Sequence, residues 1–191
     1  MPRCCVLLAD GFEEIEAVTV IDVLRRAEIE VTTLGLSGRQ VTGSHAITVE
    51  ADETLDARLH ETWDLVVLPG GMPGSANLRD DPRVQALVKA QDERGGQLAA
   101  ICAAPIALAS AGVLSGRRAT SYPTFGDQLG DAVYATERVV RDGNLTTSRG
   151  PGTALDFALG LVERLAGAET ASTLRHAMLV ESGATSTDDA G

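Results

Sequence analysis

The sequence predicts a single α/β domain in which a mostly parallel sheet carries helices on both faces. Short, continuously apolar segments alternate along the chain with longer, periodic segments, as strands and helices do in such sheets. The 191 residues are close to the size of one domain and contain no internal repeat or linker. Aromatic residues are only 3 % of the chain, so the core must pack through small aliphatic side chains.

The first half of the chain contains three apolar strands and a helix. Residues 4–9 form a continuous apolar run, which predicts a strand buried on both faces. Residues 15–27 are long and periodic enough for a helix, and the β-branched residues 30–36 predict the second strand. Residues 40–50 alternate in polarity and predict one or two exposed strands. Residues 64–71 predict a third buried strand that ends in a glycine loop.

The second half continues the alternation of strands and helices. A helix is predicted over residues 82–94, a buried strand over 97–102 and a second helix over 103–112. A short strand over residues 119–122 and a hairpin over 139–148 follow. Gly95 and Gly96 are a stop signal for the first of these helices. Asp142 and Gly143 form a strong two-residue turn signal for the hairpin.

The C-terminal part of the chain predicts helices followed by a tail. Thr153, with Asp156 three residues later, predicts a capping box that opens a helix over residues 153–167. A second helical pattern covers residues 170–179. We expect the domain to extend over residues 1–181 and the polar residues 182–191 to be a disordered tail.

The charge and the apolar pattern exclude several functions. The chain has 27 acidic and 16 basic residues and a net charge of −11, which argues against a nucleic-acid scaffold, because binding a polyanion needs a basic surface. No apolar run approaches the roughly 18 residues that span a bilayer, and the N-terminal apolar stretch is too short for a signal peptide. We therefore predict a cytoplasmic protein with no membrane partner.

The cysteines and histidines predict neither a disulfide framework nor a metal site. The three cysteines contain no Cys-x-x-Cys pair, and Cys4 and Cys5 lie inside the first strand, where we expect core residues. The histidines, His45, His60 and His176, are scattered, and their spacing does not resemble a zinc site. Any cysteine chemistry is expected to be that of a free thiol.

Cys102 is the strongest candidate for a chemical role. It ends an apolar strand and begins a helix with no loop residues between them, and Ala100 and Ala104 on either side are small. This pattern is typical of a nucleophile elbow, in which a sharp turn exposes the nucleophile. The start of a helix offers free N–H groups and a partial positive charge, which favour a thiolate. From position alone, the alternative is a buried cysteine that acts as a small hydrophobic residue.

A glycine-rich segment, PGGMPG over residues 69–74, follows the third strand. It lacks the Gly-Lys-Ser/Thr ending of a phosphate loop. Its glycines allow a positive φ and a close approach of the backbone to a ligand. The N–H groups of Gly71 and Ala103 are therefore candidates for an oxyanion hole facing Cys102. The alternative is a tight turn without a chemical role.

Three carboxylates follow the first strand in the segment GFEEIEA. Glu14 leads a mixed helix face, whereas both Glu13 and Glu16 lead apolar faces, so periodicity leaves either of these two as the buried acid. Burial raises the pKa of a carboxyl group and makes it a proton donor near neutral pH, which suits a partner for a thiol. The alternative is a solvated cap at the start of the helix.

Four segments resemble, in their order and spacing, the ThiJ/PfpI superfamily. They are ADGFEEIEAVTVIDVLRRA, DLVVLPGGMPG, AAICAAP and TSRGPGTALDFAL. Within the superfamily they are most similar to the branch of the Parkinson disease protein 7 and YajL-like proteins, over about residues 3–179. The resemblance covers nearly the whole chain, and four linked motifs make it specific.

The resemblance implies a fold, an assembly and a site. It implies a flavodoxin-like sandwich that forms homodimers, and a glutathione-independent glyoxalase or protein deglycase activity with chaperone-like and oxidative-stress roles. The nucleophile of the family falls on Cys102 and its partner acid on Glu16. The backbone donors fall on Gly71 and Ala103. No metal or organic cofactor is implied.

The sequence departs from the family pattern at three positions. Tyr122 stands where many relatives have a histidine, and it either borders the substrate pocket or only packs. His45 stands in place of an arginine associated with the dimer contact. Ala103 stands where the protease-like branch has a histidine after the cysteine, so we do not expect a peptidase.

The sequence therefore predicts a cofactor-free, cysteine-dependent glyoxalase or deglycase. Its substrates would be methylglyoxal, glyoxal or their early adducts with protein side chains, and its products lactate or glycolate. The alternative from a different class is an oxidative-stress sensor or chaperone-like protein that uses the same reactive Cys102. A glutamine amidotransferase shares the elbow but needs a late histidine–acid pair, which we do not find in the sequence.

Overall fold

The structure is a computed structural model that describes residues 1–180. The predicted tail over residues 182–191, and residue 181 at the end of the predicted domain, lie outside the described residues. The strands of the described part are β1 (Arg3–Leu8), β2 (Glu30–Gly35), β3 (Gln40–Thr42), β4 (Thr48–Glu50), β5 (Glu53–Thr54), β6 (Leu65–Leu68), β7 (Gln97–Ile101), β8 (Arg118–Ala119), β9 (Val133–Tyr134), β10 (Val139–Asp142) and β11 (Leu145–Ser148). Its helices are α1 (Glu14–Arg26), α2 (Gly74–Asp80), α3 (Pro82–Glu93), α4 (Pro105–Ser110), α5 (Ala154–Ala166) and α6 (Ala168–Ala177).

The central sheet has seven strands in the order β10-β11-β7-β6-β1-β2-β5. Its neighbours pair in parallel except β10, which pairs antiparallel with β11 through the predicted hairpin. The strand order changes direction at β1, which has β2 on one side and β6 on the other. In sheets of this kind a crevice opens beyond the carboxyl ends of the strands at such a point. The loops after β1 and β6 therefore meet at one edge of the sheet, and the loop after β7 is next to them.

Apolar side chains cover both faces of the sheet. Helices α1 and α5 pack together on one face, where Val20, Leu24 and Phe157 are buried. Helices α2, α3 and α4 cover the other face with residues that include Leu78 and Val88. The prediction of a mostly parallel sheet between two helical layers is therefore confirmed. No helix among residues 1–180 is long and apolar enough to cross a membrane.

Cys4 and Cys5 belong to the core, as predicted. Their side chains are fully buried and lie in the clusters on opposite faces of the sheet, because successive residues of a strand point in opposite directions. Burial raises the pKa of both thiols well above the ordinary value of a cysteine. Neither thiol is accessible to a reagent in solution.

The predicted capping box at Thr153 is wrong. Thr153 precedes α5, but its side chain makes no capping bond to that helix. Its hydroxyl instead donates to the Gly150 carbonyl at 2.9 Å and lies 2.7 Å from the Ser148 hydroxyl. These bonds close the short 3₁₀ turn Pro151–Thr153, whose last residue falls within the predicted helix. The threonine therefore ties α5 to the end of β11.

Four further elements differ from the prediction. Helix α2 follows directly on the glycine-rich segment and was not predicted, because the glycines and prolines of that segment indicate a loop. The strand expected at residues 119–122 covers only Arg118–Ala119, paired with β9, which was also missed. Strands β5 and β9 have two residues each and are too short for a periodic signal.

Candidate active site

The elbow predicted at Cys102 is present. Strand β7 ends at Ile101 and helix α4 begins at Pro105, and Cys102 between them has a φ of 63°. This left-handed conformation is uncommon for a residue with a side chain and stores strain that the surroundings must hold. The Cys102 N–H donates to the Ser148 carbonyl at 3.0 Å, and its carbonyl accepts from the Tyr122 N–H at 2.9 Å. The side chain is partly exposed.

Glu16 is the carboxyl group that lies beside this thiol. It occupies the first turn of α1 and is fully buried. Its Oε2 accepts the Gly70 N–H at 2.9 Å, which fixes the carboxyl group against the loop after β6. Its Oε1 is buried and has no well-aligned hydrogen-bond partner among residues 1–180. The Cys102 side chain is nevertheless close enough that each group shifts the pKa of the other.

The start of α1 decides which of Glu13 and Glu16 is the buried acid beside the thiol, a question that periodicity left open. Glu13 is extended, with φ −86° and ψ 121°, and forms the cap of the helix. Its Oε2 accepts the Glu16 N–H at 2.7 Å, and its own N–H donates to the Gly70 carbonyl at 2.8 Å. Glu13 is therefore a capping residue, although 7 % exposure makes it nearly as buried as Glu16.

Gly70 is a site residue that the sequence analysis did not single out. A Cβ atom at this position would lie 2.4 Å from Glu16 Oε2 and 2.5 Å from Cys102 Cβ. The absence of a side chain thus allows the thiol and the carboxyl group to approach one another. The sequence signal for this position is the pair of glycines, Gly70 and Gly71, that follows the third predicted strand. This signal does not indicate which of the two glycines faces the elbow.

Gly70→Ala is expected to lower the free energy of unfolding by roughly 3 kcal/mol, because a methyl group overpacks the contact between Glu16 and Cys102. Chemical denaturation monitored by circular dichroism measures this loss. Gly38→Ala is the matched control, since a Cβ there meets nothing within 4 Å, and it is expected to change the stability by less than about 0.5 kcal/mol. Equal stability of the two variants would contradict the tight packing at Gly70.

The N–H groups of Gly71 and Ala103 both lie close enough to the Cys102 sulfur to lower the pKa of the thiol, although neither forms a well-aligned hydrogen bond to it in the described residues. Gly71 has a φ of 92°, and a Cβ atom there would lie 2.3 Å from the Glu13 nitrogen, so this position requires glycine. Two backbone donors from different loops therefore converge on the sulfur. They can stabilise negative charge on it or on an oxygen that becomes attached next to it.

Burial dominates the acid–base properties of the pair. It raises the pKa of Glu16 to about 7, with a further contribution from the charge of Glu13. It also raises the pKa of Cys102 to about 12, and the Glu16 carboxylate adds to that shift. The Gly71 and Ala103 N–H groups act in the opposite direction but do not compensate. The start of the helix therefore acts in the predicted direction, but burial and the ionised Glu16 outweigh it, and the pKa of the thiol is raised.

Protonation of Glu16 changes this balance. A neutral carboxyl group no longer opposes negative charge on the Cys102 sulfur and can donate a hydrogen bond to it. Because each ionised group disfavours ionisation of the other, the two share one proton over a range of pH and titrate as a coupled pair. The arrangement can therefore supply a nucleophilic sulfur together with an adjacent acid.

Tyr122 packs beside Cys102, and its contact with a substrate stays a prediction. Its main-chain N–H holds the Cys102 carbonyl, while its side chain is 45 % exposed at the rim of the site. The ring packs along Gly150, where a Cβ atom would lie 3.4 Å from Tyr122 Cδ2. The Tyr134 hydroxyl donates to the neighbouring Ser121 carbonyl at 3.3 Å and steadies this segment.

His45 is exposed, as predicted, and binds Glu14 rather than the thiol. Its N–H and Nδ1 lie 2.6 and 2.8 Å from the Glu14 carboxyl oxygens. This contact raises the pKa of His45, and the bonds from His45 and Ile47 lower the pKa of Glu14 to about 2. One ligand atom each of Glu13, Glu14 and His45 lies within 4.8 Å of the others, but the loop already uses the Glu14 oxygens.

Residues 2–164 match the DJ-1/PfpI family. The chain belongs to this family. The resemblance to the ThiJ/PfpI superfamily is thereby confirmed. Among curated DJ-1/PfpI relatives, the Parkinson disease protein 7 homolog of Danio rerio is 43 % identical over 184 residues, which cover 94 % of this chain and 97 % of the relative. The glutathione-independent glyoxalase DJR-1.2 of Caenorhabditis elegans is 36 % identical over 171 residues, or 88 % of this chain and 91 % of the relative.

Solved structures of DJ-1/PfpI proteins agree with the fold described above. The crystal structure of Drosophila melanogaster DJ-1beta superposes with a TM-score of 0.92 at 44 % sequence identity. The match covers 95 % of this chain and 99 % of that one. The predicted flavodoxin-like α/β fold is therefore confirmed over nearly the whole length of the chain.

Proposed function

We propose that the chain is a cysteine-dependent, glutathione-independent glyoxalase that acts on methylglyoxal and glyoxal and on their early adducts with protein side chains. The observation that carries this proposal is the contact of the Cys102 thiol with the buried carboxyl group of Glu16, whose pKa lies near 7. A family relative named as a glutathione-independent glyoxalase supports the same reaction class. The family alone does not decide the substrate.

In the first step the Cys102 thiolate attacks the aldehyde carbon of methylglyoxal, and a carbon–sulfur bond forms. The carbonyl electron pair moves to oxygen, and the Gly71 and Ala103 N–H groups stabilise that oxyanion. The form that reacts has the proton on Glu16 and the charge on the sulfur; Glu16 then gives this proton to the oxygen and yields a hemithioacetal. The ionised Glu16 is then ready to act as a base.

In the second step Glu16 takes the proton from the former aldehyde carbon and gives it to the oxygen of the neighbouring carbonyl, which forms an enediol; it then takes the hydroxyl proton of the first carbon and delivers it to the second carbon. The first carbon is oxidised and the second is reduced, so the rearrangement needs no external electron acceptor. The product is a lactoyl thioester on Cys102, which water hydrolyses to lactate and free thiol. Glyoxal gives glycolate by the same route, and no metal or organic cofactor is required.

Protein adducts follow from the same chemistry. A hemithioacetal or aminocarbinol on a protein side chain is the addition product of the aldehyde and releases it reversibly. The partly exposed Cys102 and the exposed ring of Tyr122 leave room at the rim for such a side chain.

We place the activity in the cytoplasm, because free cysteines are typical of a reducing compartment. Purified protein with methylglyoxal, followed by lactate formation, tests the proposal directly.

A second candidate function is an oxidative-stress sensor or chaperone-like protein. The observation that favours it is the contrast between the partly exposed Cys102 and the fully buried Cys4 and Cys5. Two equivalents of peroxide would each transfer one oxygen to the Cys102 sulfur and leave as water, giving a sulfinic acid beside Glu16. Lactate formation distinguishes the two functions.

Mild peroxide is expected to add two oxygen atoms to Cys102 and none to Cys4 or Cys5, because only the first of these thiols is accessible. Mass spectrometry of proteolytic peptides measures the mass gain at each cysteine. Cys102→Ser should show no gain under the same conditions. Oxidation of Cys4 at the rate of Cys102 would show that the reactivity does not follow exposure. Selective oxidation without any lactate formation would favour the sensor.

We also propose that the protein forms a homodimer through the outer face of α1. Ile15 and Val18 are 57 % and 50 % exposed on this helix, and Ile47 on the adjoining hairpin loop is 56 % exposed. A small cleft of about 120 Å³ next to them is lined by Val18, Ile21 and Val49. Large apolar side chains on a helix face are typical of a surface that another protein covers, and a second copy of the chain fits the implication of the family.

Val18→Glu is expected to shift the protein from dimer to monomer, because it places a charge in the centre of the apolar face. Light scattering coupled to size-exclusion chromatography measures the mass. Val133→Glu is the matched control, because Val133 is 54 % exposed on β9, far from α1 in the chain, and it should leave the dimer intact. A dimer that persists in Val18→Glu would locate the interface elsewhere.

A further inference from the structure

A cavity lies at the end of the sheet opposite to Cys102. Arg3 begins β1, Asp64 directly precedes β6 and Gln97 begins β7, and all three line the cavity. These are the amino ends of the parallel strands, whereas Cys102 follows the carboxyl end of β7. The volume is about 700 Å³, which is in the range of small-molecule sites. Nothing in the proposed glyoxalase reaction uses this end of the protein.

Three arginines line this cavity: Arg3, Arg94 and Arg164. Arg3 forms ion pairs with Glu30 and Glu61. Most arginines of the chain pair with a carboxylate in this way, but in the described residues 1–180 neither Arg94 nor Arg164 is in an ion pair. Two guanidinium groups without counter-ions therefore face one cavity in a protein whose net charge is −11.

Main-chain carbonyls hold these two guanidinium groups in place. Arg94 donates to the Trp63 carbonyl at 2.7 Å and to the Gln91 side chain, and Arg164 donates to the Gly143 carbonyl at 2.8 Å. Each guanidinium has five N–H donors, so most of them are left for a ligand. Burial and the nearby Arg141 lower the pKa of Arg164, which means that the surroundings disfavour its charge. A bound anion would relieve that cost.

Trp63 lies in the wall of the cavity and carries a donor without a partner in residues 1–180. It is only 3 % exposed, and the Arg3 guanidinium lies 4.8 Å from the centre of its ring. Its indole N–H is buried and has no acceptor among the described residues, which is costly unless a partner binds. Asp64 is the acidic residue of the wall, and its carboxylate is engaged by the Arg3 main-chain N–H at 2.7 Å.

We infer that this cavity is a second binding site, for a small molecule that carries a phosphate or a pair of carboxylates. The planar fork of an arginine matches the oxygens of either group in a bidentate contact. Arg94 and Arg164 supply the positive charge, and Trp63 lies in the wall beside them. The site is separate from the thiol chemistry and does not depend on it.

The experiment uses Trp63, the one tryptophan of the chain, as the reporter. Pyrophosphate and citrate are titrated separately into the full-length protein at constant ionic strength, with sodium chloride as the balancing salt, and the intrinsic fluorescence is recorded. We expect a saturable change with at least one of the two anions, and the one that binds more tightly identifies the phosphate or the carboxylate class. Sodium chloride alone should give no saturable change.

Arg164→Met and Arg94→Met are each expected to weaken binding at least about tenfold, because each removes charge-assisted hydrogen bonds but keeps an apolar stem. Arg118→Met is the control, since it removes the same charge from an exposed arginine that pairs with Glu137, and it should change the affinity less than about twofold. Thermal unfolding of each variant shows that it is folded. Cys102→Ser should bind as the wild type does.

Three outcomes would overturn the inference. A linear or absent response to both anions would mean that Arg94 and Arg164 only neutralise the ends of α3 and α5. Equal affinity of the two methionine variants and the wild type would place any bound anion elsewhere. Loss of binding in Cys102→Ser would place it at the thiol. None of these results depends on lactate formation, so the inference and the proposed function can fail independently.

Discussion

Replacement of Cys102 by serine is expected to lower kcat/KM for methylglyoxal by about 10³-fold or more. A serine hydroxyl fits the elbow and can keep the bonds of residue 102 to Ser148 and Tyr122, because those bonds are made by the main chain. Its pKa is far above that of a thiol, so Glu16 cannot share a proton with an ionised nucleophile. The loss would therefore be one of chemistry and not of folding.

Lactate formation over a range of methylglyoxal concentrations measures this loss. Cys4→Ala is the control, because it removes a thiol that is buried inside β1, away from the elbow. It is expected to cost some stability and to retain most of the turnover. A wild-type rate in Cys102→Ser would rule out the proposed nucleophile, and with it both the glyoxalase and the deglycase reactions.

Replacement of Glu16 by glutamine is expected to lower kcat by about 10²- to 10⁴-fold. The amide oxygen can still accept the Gly70 N–H, so the geometry of the loop is retained. The amide group cannot, however, carry the proton between the two carbons of the substrate. The amide group also cannot protonate the oxyanion that forms when the sulfur attacks, so both steps of the reaction are slowed.

The pH dependence of the wild type should report the same pair. Below about pH 7 both the Glu16 carboxyl group and the Cys102 thiol hold their protons, and no nucleophile is available. As the pH rises through this value the pair loses its first proton, and kcat/KM is expected to rise to a plateau. The second proton leaves only at strongly alkaline pH, because the pKa of Cys102 is raised towards 12.

Glu16→Gln should lose this rise near pH 7, which a merely structural role of the carboxyl group would not cause. Glu14→Gln is the matched control on the same helix turn, because Glu14 binds His45 and the loop rather than the thiol. It is expected to keep both the turnover and the pH profile within a few-fold. An unchanged profile in Glu16→Gln would assign the titration to another group and remove Glu16 from the mechanism.

The elbow could be predicted from the sequence because its requirements are local. An apolar strand that runs directly into a helix, with Ala100 and Ala104 on either side of Cys102, leaves few alternatives for the chain direction. The strand order and helix α2 could not be predicted. The order depends on pairing between distant segments, and α2 begins in a segment rich in glycine and proline, which indicates a loop.

The identity of the partner acid shows the limit of periodicity. Both Glu13 and Glu16 lead apolar faces, and both are almost completely buried. Only the extended backbone of Glu13 turns its side chain back to cap α1, which leaves Glu16 to reach the loop after β6. The resemblance to the family placed the acid on Glu16, but the residues alone did not.

The direction of the Cys102 pKa is a further result of tertiary packing. Local reasoning from the helix start predicts a lowered pKa, since free N–H groups and the helix dipole favour negative charge. The folded chain adds burial and a carboxylate from another helix, and both raise the pKa. Burial is the largest of these effects, and the ionised Glu16, a residue that no local pattern connects with Cys102, adds to it.

The sequence by itself determined the α/β class, the position of the thiol at a strand–helix turn and the core placement of Cys4 and Cys5. These features depend on neighbours within one or two turns of the chain. Tertiary structure alone decided that Gly70 admits the carboxyl group and that the thiol and the acid shift the pKa of one another. The hydrogen bond between Gly70 and Glu16 joins residues 54 positions apart, and the energy of a buried charge depends on every atom around it.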